Sequence, residues 1–404
     1  MESATREWPD SGISSAWVTS CRMQGKCENW ILEIRPPSST IPRIMAPPPV
    51  DAQDLLKQVS RSFYLTLAVL PRSMKRPVGL AYLLARAADA ISDTTIVGIP
   101  RRHQALLELR GCIDEACQGR PTTLPELGDL AEARETTVGE GTPAERKLLK
   151  SINELLDDLQ KMDREDRLRI GKLLDTITHG QETDLLLFTG SPGEVSAFGS
   201  DEDLDRYTYE VAGCVGEFWT EMCRAHVFRT APLDYTSLLA DAVRFGKGLQ
   251  LVNILRDLPK DLRRGRCYIP SDQLTRLTLR PEDLLDPAVM NRFRVLYEDY
   301  LRRAEAYLKD GWRYTAALPF RCVRIRLACA WPLLIGVRTL GLLRLENVLD
   351  ERSRIKISRP EMQRLMLRSV VLYPFRSAWD RLFTAVQMQD TGSRMQHART
   401  KDHS

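Results

Sequence analysis

"YLLARAADAISDTTIVG", Tyr82 to Gly98, is small and apolar along most of its length, the composition of a helix made to be buried. Within it Asp89 and Asp93 stand four apart, which puts both carboxylates on one helical face. A second stretch, "GKGLQLVNILRDLPKDLRRGRCYIP" from Gly246 to Pro270, repeats the arrangement. There Asn253, Asp257 and Asp261 fall at i, i+4 and i+8, a polar row along about two helical turns, with Gln250 three residues ahead of it. Leu249, Leu251, Val252, Ile254 and Leu255 surround this row with apolar surface, so it is expected to face inward. Pro259 removes a backbone hydrogen bond within the same helix and predicts a bend there.

The rest of the chain has the same period. In "TPAERKLLKSINELLDDLQ" Thr142 reads as an N-cap, Pro143 as the first helical residue and Glu145 as the closing residue of a capping box. Leu148, Leu149, Ile152, Leu155, Leu156 and Leu159 then recur at helical intervals. Alternating strand patterns and solenoid-length repeats are both missing. Breaks rich in Pro and Gly near 119–125, 139–143 and 189–200 are short interruptions of one helical series. These features predict a single all-α domain over 51–385. Residues 1–50 mix Ser, Pro and isolated Trp without periodicity and read as a disordered tail, as do residues 386–404. The first fifty lack the continuous apolar segment of a secretory signal, and Met45, just ahead of the periodic region, is a candidate native start.

Composition narrows the function. With 404 residues, 43% of them apolar and 28% charged, the chain can build a large core under a soluble surface. A net charge of +4 gives no field for nucleic acid. Nine cysteines without C-x-x-C spacing suggest reduced thiols in a cytoplasmic protein, and five histidines without helical pairing argue against a histidine metal site. The most apolar stretch, "LACAWPLLIGVRTLGLL" from Leu327 to Leu343, is interrupted by Pro332 and Arg338. It reads as a buried helix of the domain, which leaves only peripheral contact with a membrane.

Two aspartate-bearing helices that meet at one cavity bring four carboxylates together, and like charges at close range would force some to hold protons. A hard divalent cation removes that conflict. Mg²⁺ takes oxygen ligands, keeps several waters and is shared between a few carboxylates and substrate phosphates. Arg86, Arg256 and Arg266 are placed to complete the charge balance. The chemistry expected is therefore a diphosphate held by Mg²⁺ between two helices. Taken singly, each piece has a plainer explanation: an aspartate pair can be a solvated face, and Gly246, Gly248 and Gly265 can simply permit close packing or end a helix.

Several ordered motifs resemble the squalene and phytoene synthases, the head-to-head prenyl synthases, from about Val59 to Arg359. "SRSFYLTLAVLP" at Ser60 resembles the family's first substrate-contacting segment, and "YLLARAADAISD" its first aspartate motif, with Tyr82, Arg86, Asp89 and Asp93 in place. "YTYEVAGCVGE" from Tyr207 is similar to the Y-x-Y-x-V-A-G-x-V-G signature. "LQLVNILRDLPKDLRRGRCYIP" resembles the second aspartate motif, with Gln250, Asn253, Arg256, Asp257, Asp261 and Tyr268. The departures are Ala90, Ile91 and Ser92 in an otherwise acid-rich motif, and Pro259 and Lys260 ahead of the last aspartate.

The resemblance implies a class I terpenoid synthase-like helical bundle around a central cavity. It implies that Asp89, Asp93, Asp257, Asp261, Tyr207 and Arg86 are catalytic and that Asp89, Asp93, Asn253, Asp257 and Asp261 hold Mg²⁺. Substrate would be bound by Ser60, Arg61, Phe63, Tyr82, Arg86, Gln250, Asn253, Arg256 and Tyr268. Phe63, Tyr64, Tyr82 and Tyr207 would offer π faces to a carbocation. Val211, Ala212, Gly213 and Gly216 would let a helix pass close to a prenyl chain, and Glu182 and Asp184 would extend the polar rim. "SRSFYLTL" is nearer squalene synthases, which implies two farnesyl diphosphates condensed through presqualene diphosphate and reduced with NADPH to squalene. Phytoene or dehydrosqualene formation without reduction is the alternative. A non-catalytic assembly or binding protein of the same fold is the rival from another class, and it would have lost the four aspartates.

Overall fold

A computed structural model describes residues 52–388, apart from 61–63, 95, 126, 128–129, 131–141, 190–193, 351–352 and 354. The proposed tail 1–50 with Met45, and also Arg61 and Phe63, lie outside the described residues. The chain is helical where apolar residues recur every three or four positions. In order come α1 (Ala52–Val59), α2 (Tyr64–Val69), α3 (Arg72–Asp93), α4 (Ile99–Cys117), α5 (Pro143–Lys150), α6 (Ile152–Gln160) and α7 (Arg164–Leu187). Strand β1 (Ser196–Ala197), α8 (Asp201–Thr208), a π turn (Tyr209–Gly213), α9 (Cys214–His226) and α10 (Tyr235–Leu262) follow. The series ends with β2 (Arg266–Cys267), α11 (Ser271–Thr275), α12 (Met290–Ala317), α13 (Val323–Leu345), α14 (Arg359–Leu372) and α15 (Arg376–Asp380).

Local chemistry explains several boundaries. Thr142 and Glu145 form the expected capping box, each satisfying a backbone N–H of the other. The helix read as continuous from Pro143 is two helices, α5 and α6, divided at Ser151, whose hydroxyl donates to the Lys147 carbonyl at 2.8 Å. Pro332 does not break α13, and 72% of that helix's most apolar window is buried, so it is a core helix. Pro259 likewise sits inside α10 without ending it. Val386 is fully buried and the helical chain continues to 388, so the sequence boundary at 385 falls short of the domain.

The apolar core has two clusters that share α10, α12 and α13. Leu238 and Ala242 at the start of α10 join the helices α1 to α7 and α9, and Leu251 to Leu262 join α8 and α11 to α15. Helix α10 lies most extensively along α12. It crosses α9 and the π turn so closely that a Cβ on Gly246 would stand 2.1 Å from the Ala212 carbonyl oxygen. A Cβ on Gly216 would stand 2.0 Å from that of Ala242.

The sequence shows no strand pattern, yet β1 and β2 form a two-residue parallel pair, Ser196 opposite Arg266 and Ala197 opposite Cys267. Gly265, at φ +76°, turns the chain from the end of α10 into β2, a backbone conformation that costs other residues strain. This small pair fixes the backbone of Arg266, which a flexible loop would leave loose.

Gly246→Ala should drive α10 away from the π turn, because the obstacle is a backbone carbonyl and not a movable side chain. Its stability should fall by about 1–3 kcal/mol, measured as the urea unfolding midpoint. An unchanged midpoint would show that the two helices can part without cost.

Candidate active site

Two aspartate rows stand at a mouth with Arg266 between them. On α3, Asp89 pairs with Arg86, and Arg86 also pairs with Glu145 of α5. Arg266 reaches Asp93 at 3.2 Å and Asp184 of α7 at 3.0 Å. On α10, Arg256 clamps Asp257 with two hydrogen bonds, Nε to Oδ1 at 2.9 Å and Nη2 to Oδ2 at 2.6 Å. The inward, buried rows expected from the sequence are corrected here. The side chains of Asp89, Asp93 and Asp257 are 39%, 47% and 42% exposed, because carboxylates in so tight a group need water or cations around them.

Titration follows this layout. Loss of surrounding water and the charge of Asp93 push the Asp89 carboxyl up to about 6, against the opposing pull of Arg86. Burial, with Asp257 beside it, pushes Asp261 up to about 7. Burial also raises Asp184, while Arg266 pulls it down. Beneath Arg266, Tyr268 donates its O–H to Asp184 Oδ1 at 2.7 Å and stacks on Tyr207, ring centres 5.3 Å apart. Burial raises both phenols well above their usual range, so they remain donors.

Helix α10, which carries one of the rows to the mouth, also lines an apolar cavity of about 200 Å³ together with the π turn and α9. Val211, Ala212, Val215 and Gly216 come from the π turn and α9, and Gly246, Leu249, Gln250 and Asn253 from α10. A second cavity of about 210 Å³ shares Thr66, Leu249, Asn253 and Pro332 with the first. It is closed by Trp331, Met362 and Met366 and includes Arg256. Thus α10 presents, in order, apolar wall, amides and acids.

Most candidates lie in this arrangement, with several changes of role. Gln250 lines the first cavity and Asn253 lines both, and Asn253 is exposed. Tyr82 is half-buried one turn ahead of Arg86 on α3. The Ser60 hydroxyl donates to the Leu56 carbonyl at the end of its own helix, 2.5 Å away. Gly213 and Gly216 serve chiefly the close crossing with α10, although Gly216 also reaches the cavity. Glu182 is held by His103 at 2.6 Å and Arg110 at 2.8 Å. The aromatic wall is Trp219, Phe245 and Tyr314, with Tyr207 at the mouth. Glu145 was legible only as a capping residue, since 59 positions separate it from Arg86.

Hard oxygen donors from both rows suit Mg²⁺. Asp261 adds a half-buried carboxylate with no hydrogen-bonding or ion-pairing partner among the described residues. Among those residues no three potential ligands converge on one point, so an ion here would complete its shell with water and phosphate oxygens.

The chain is similar to known proteins over most of its length. The family model for squalene/phytoene synthase matches residues 56–361. The 15-cis-phytoene synthase of a Synechocystis species is 27% identical over 322 residues, 76% of this chain and 84% of its own. That of Synechococcus elongatus is 26% identical over 270 residues, 65% and 74% of the two chains. In fold, the squalene synthase-type structure TcSQS, solved with a ligand, superposes with a TM-score of 0.61 at 20% identity, covering 85% of this chain and 97% of that one.

Asp261 binds its proton more tightly folded, at about 7, than at its ordinary 3.8, so its contribution to stability falls as pH climbs from about 4 to 7. In divalent-free buffer Asp261→Asn should flatten that part of the melting-temperature profile and melt higher than the parent at pH 7. A parallel profile for the two proteins would refute the assigned burial.

Proposed function

We propose that this chain, which belongs to the squalene/phytoene synthase family, joins two prenyl diphosphates head to head and forms phytoene without reduction. The observation that carries the condensation is the course of α10, whose apolar wall, amides and acids lead from a cavity for prenyl chains to a mouth for diphosphate. A non-catalytic role fits poorly, since Asp89, Asp93, Asp257 and Asp261 are all retained.

The residues divide the work. Arg86, Arg256 and Arg266, paired with carboxylates here, turn toward phosphate oxygens as substrate arrives and stabilise the departing diphosphate. Asp89, Asp93, Asp257 and Asp261 would hold Mg²⁺, which when bound neutralises charge on the leaving group. Asn253 lies within reach as a neutral donor on the same row. Tyr207 and Tyr268 keep Arg266 and Asp184 oriented. Trp219, Phe245 and Tyr314 line a wall that keeps water from an allylic cation and offers it π faces.

The product rests on the relatives. Their names, phytoene synthases, support the non-reductive alternative better than squalene formation with NADPH and farnesyl diphosphate, which the opening segment suggested. In the proposed ending a proton is lost from the final cation, so nicotinamide has no role.

With geranylgeranyl diphosphate and Mg²⁺ the purified protein should give the same C40 hydrocarbon with and without NADPH, and this substrate should outcompete farnesyl diphosphate. Squalene appearing only with NADPH would overturn the product. Asp89→Asn and Asp257→Asn should each cut turnover at least about a hundredfold with unchanged circular dichroism. Near-normal rates in both would sink the mechanism.

A further inference from the structure

Helix α14 has two unlike faces. Its inner face carries Met362 and Met366 into the wall of the second cavity, with Leu365 buried beside them. Ser369 locks it there, its hydroxyl accepting the Trp331 indole N–H at 3.0 Å. The outer face is unusual for solvent: Leu367 is 65% exposed, Val371 58%, and Phe375, in the turn after the helix, 64%. Val370 is exposed beside them, and Phe320, stacked on Tyr373 at 4.8 Å, carries apolar surface onward. Scattered apolar residues are ordinary on a surface, but a contiguous strip marks an interaction site.

Charge identifies the occupant. At about 100° per residue Leu367 and Val371 are neighbours on α14, and Arg364 and Arg368 flank them on one side. Arg376 follows in the next helix. These three arginines have no carboxylate partner among the described residues, whereas Arg338 and Arg344 on α13 are paired with Glu361, Glu298 and Glu305. An apolar strip edged by unpaired arginines is the pattern of a helix that lies in the headgroup region of a bilayer. A second copy of the chain is a worse match, since a two-fold contact would set these arginines against themselves.

We propose that the outer face of α14 with the turn through Phe375 docks on an anionic lipid membrane, Leu367, Val371 and Phe375 entering the headgroup boundary and Arg364, Arg368 and Arg376 meeting lipid phosphates. The inner face of the same helix closes the second cavity, so an apolar product would have a short way into the bilayer. That last consequence rests on the proposed condensation, and the docking itself does not.

The test uses the full chain without substrate. It should sediment with vesicles of phosphatidylcholine containing phosphatidylglycerol, and much less with phosphatidylcholine alone or at high salt. The double variants L367S/F375S and R364E/R368E change exposed side chains only, and their melting temperatures should match the parent. Each should bind the anionic vesicles at least about tenfold more weakly. Equal binding by parent and variants, or none by the parent, would overturn the proposal. So would a dimer in sedimentation velocity that L367S/F375S abolishes, which would give the face to a second copy. Because no turnover is measured, failure here leaves the catalytic reading standing, and an inactive enzyme that still binds vesicles leaves the docking standing.

Discussion

Arg266 is the charge on which the mouth of this protein depends. It meets Asp93 from α3 and Asp184 from α7, and its charge also lowers the otherwise elevated Asp261. Without it, three carboxylates would face one another across a narrow space, and protonation or a bound cation would have to relieve their repulsion. Its place is not left to a loose side chain. The β1–β2 pair and the turn at Gly265 hold its backbone, and Tyr268, two residues on, binds the same Asp184 from below.

The other acids are balanced in the same way and none is wholly buried. Arg86 divides its guanidinium between Asp89 and Glu145, and Arg256 spends both faces of its fork on Asp257. Burying such pairs completely would cost more than their attraction returns. An open mouth avoids that cost and leaves each arginine with a partner it can exchange for phosphate. The arrangement suits a site that must be stable empty and still accept several negative charges at once.

Behind the mouth the demand is opposite. The carbocation of the proposed condensation would tolerate aromatic faces and aliphatic walls but not water, and the cavities supply Trp219, Phe245, Tyr314 and a lining of Val, Leu and Ala. Space for such cavities requires helices that elsewhere pack very closely. Gly216 and Gly246 bring α9 and α10 into backbone contact, and the π turn between α8 and α9 redirects the chain between Tyr207 at the acids and Val211 at the cavity.

The amino-acid sequence by itself determined the all-α fold, the two carboxylate rows and the Thr142 cap. Each is a local matter of period and spacing within one helix. The same local logic named Asp89, Asp93, Asp257 and Asp261 and the arginines near them. Tertiary structure alone decided what those groups touch. Glu145 joins Arg86, Asp184 joins Arg266 and Tyr268, and Glu182 joins His103 and Arg110, each across tens of residues of chain. It also decided that the rows stand half-open at a mouth, since helical spacing fixes which side chains share a face but not whether that face meets water. The β1–β2 pair was invisible for the same reason: two residues are too few for an alternating pattern, and only their meeting makes them strands.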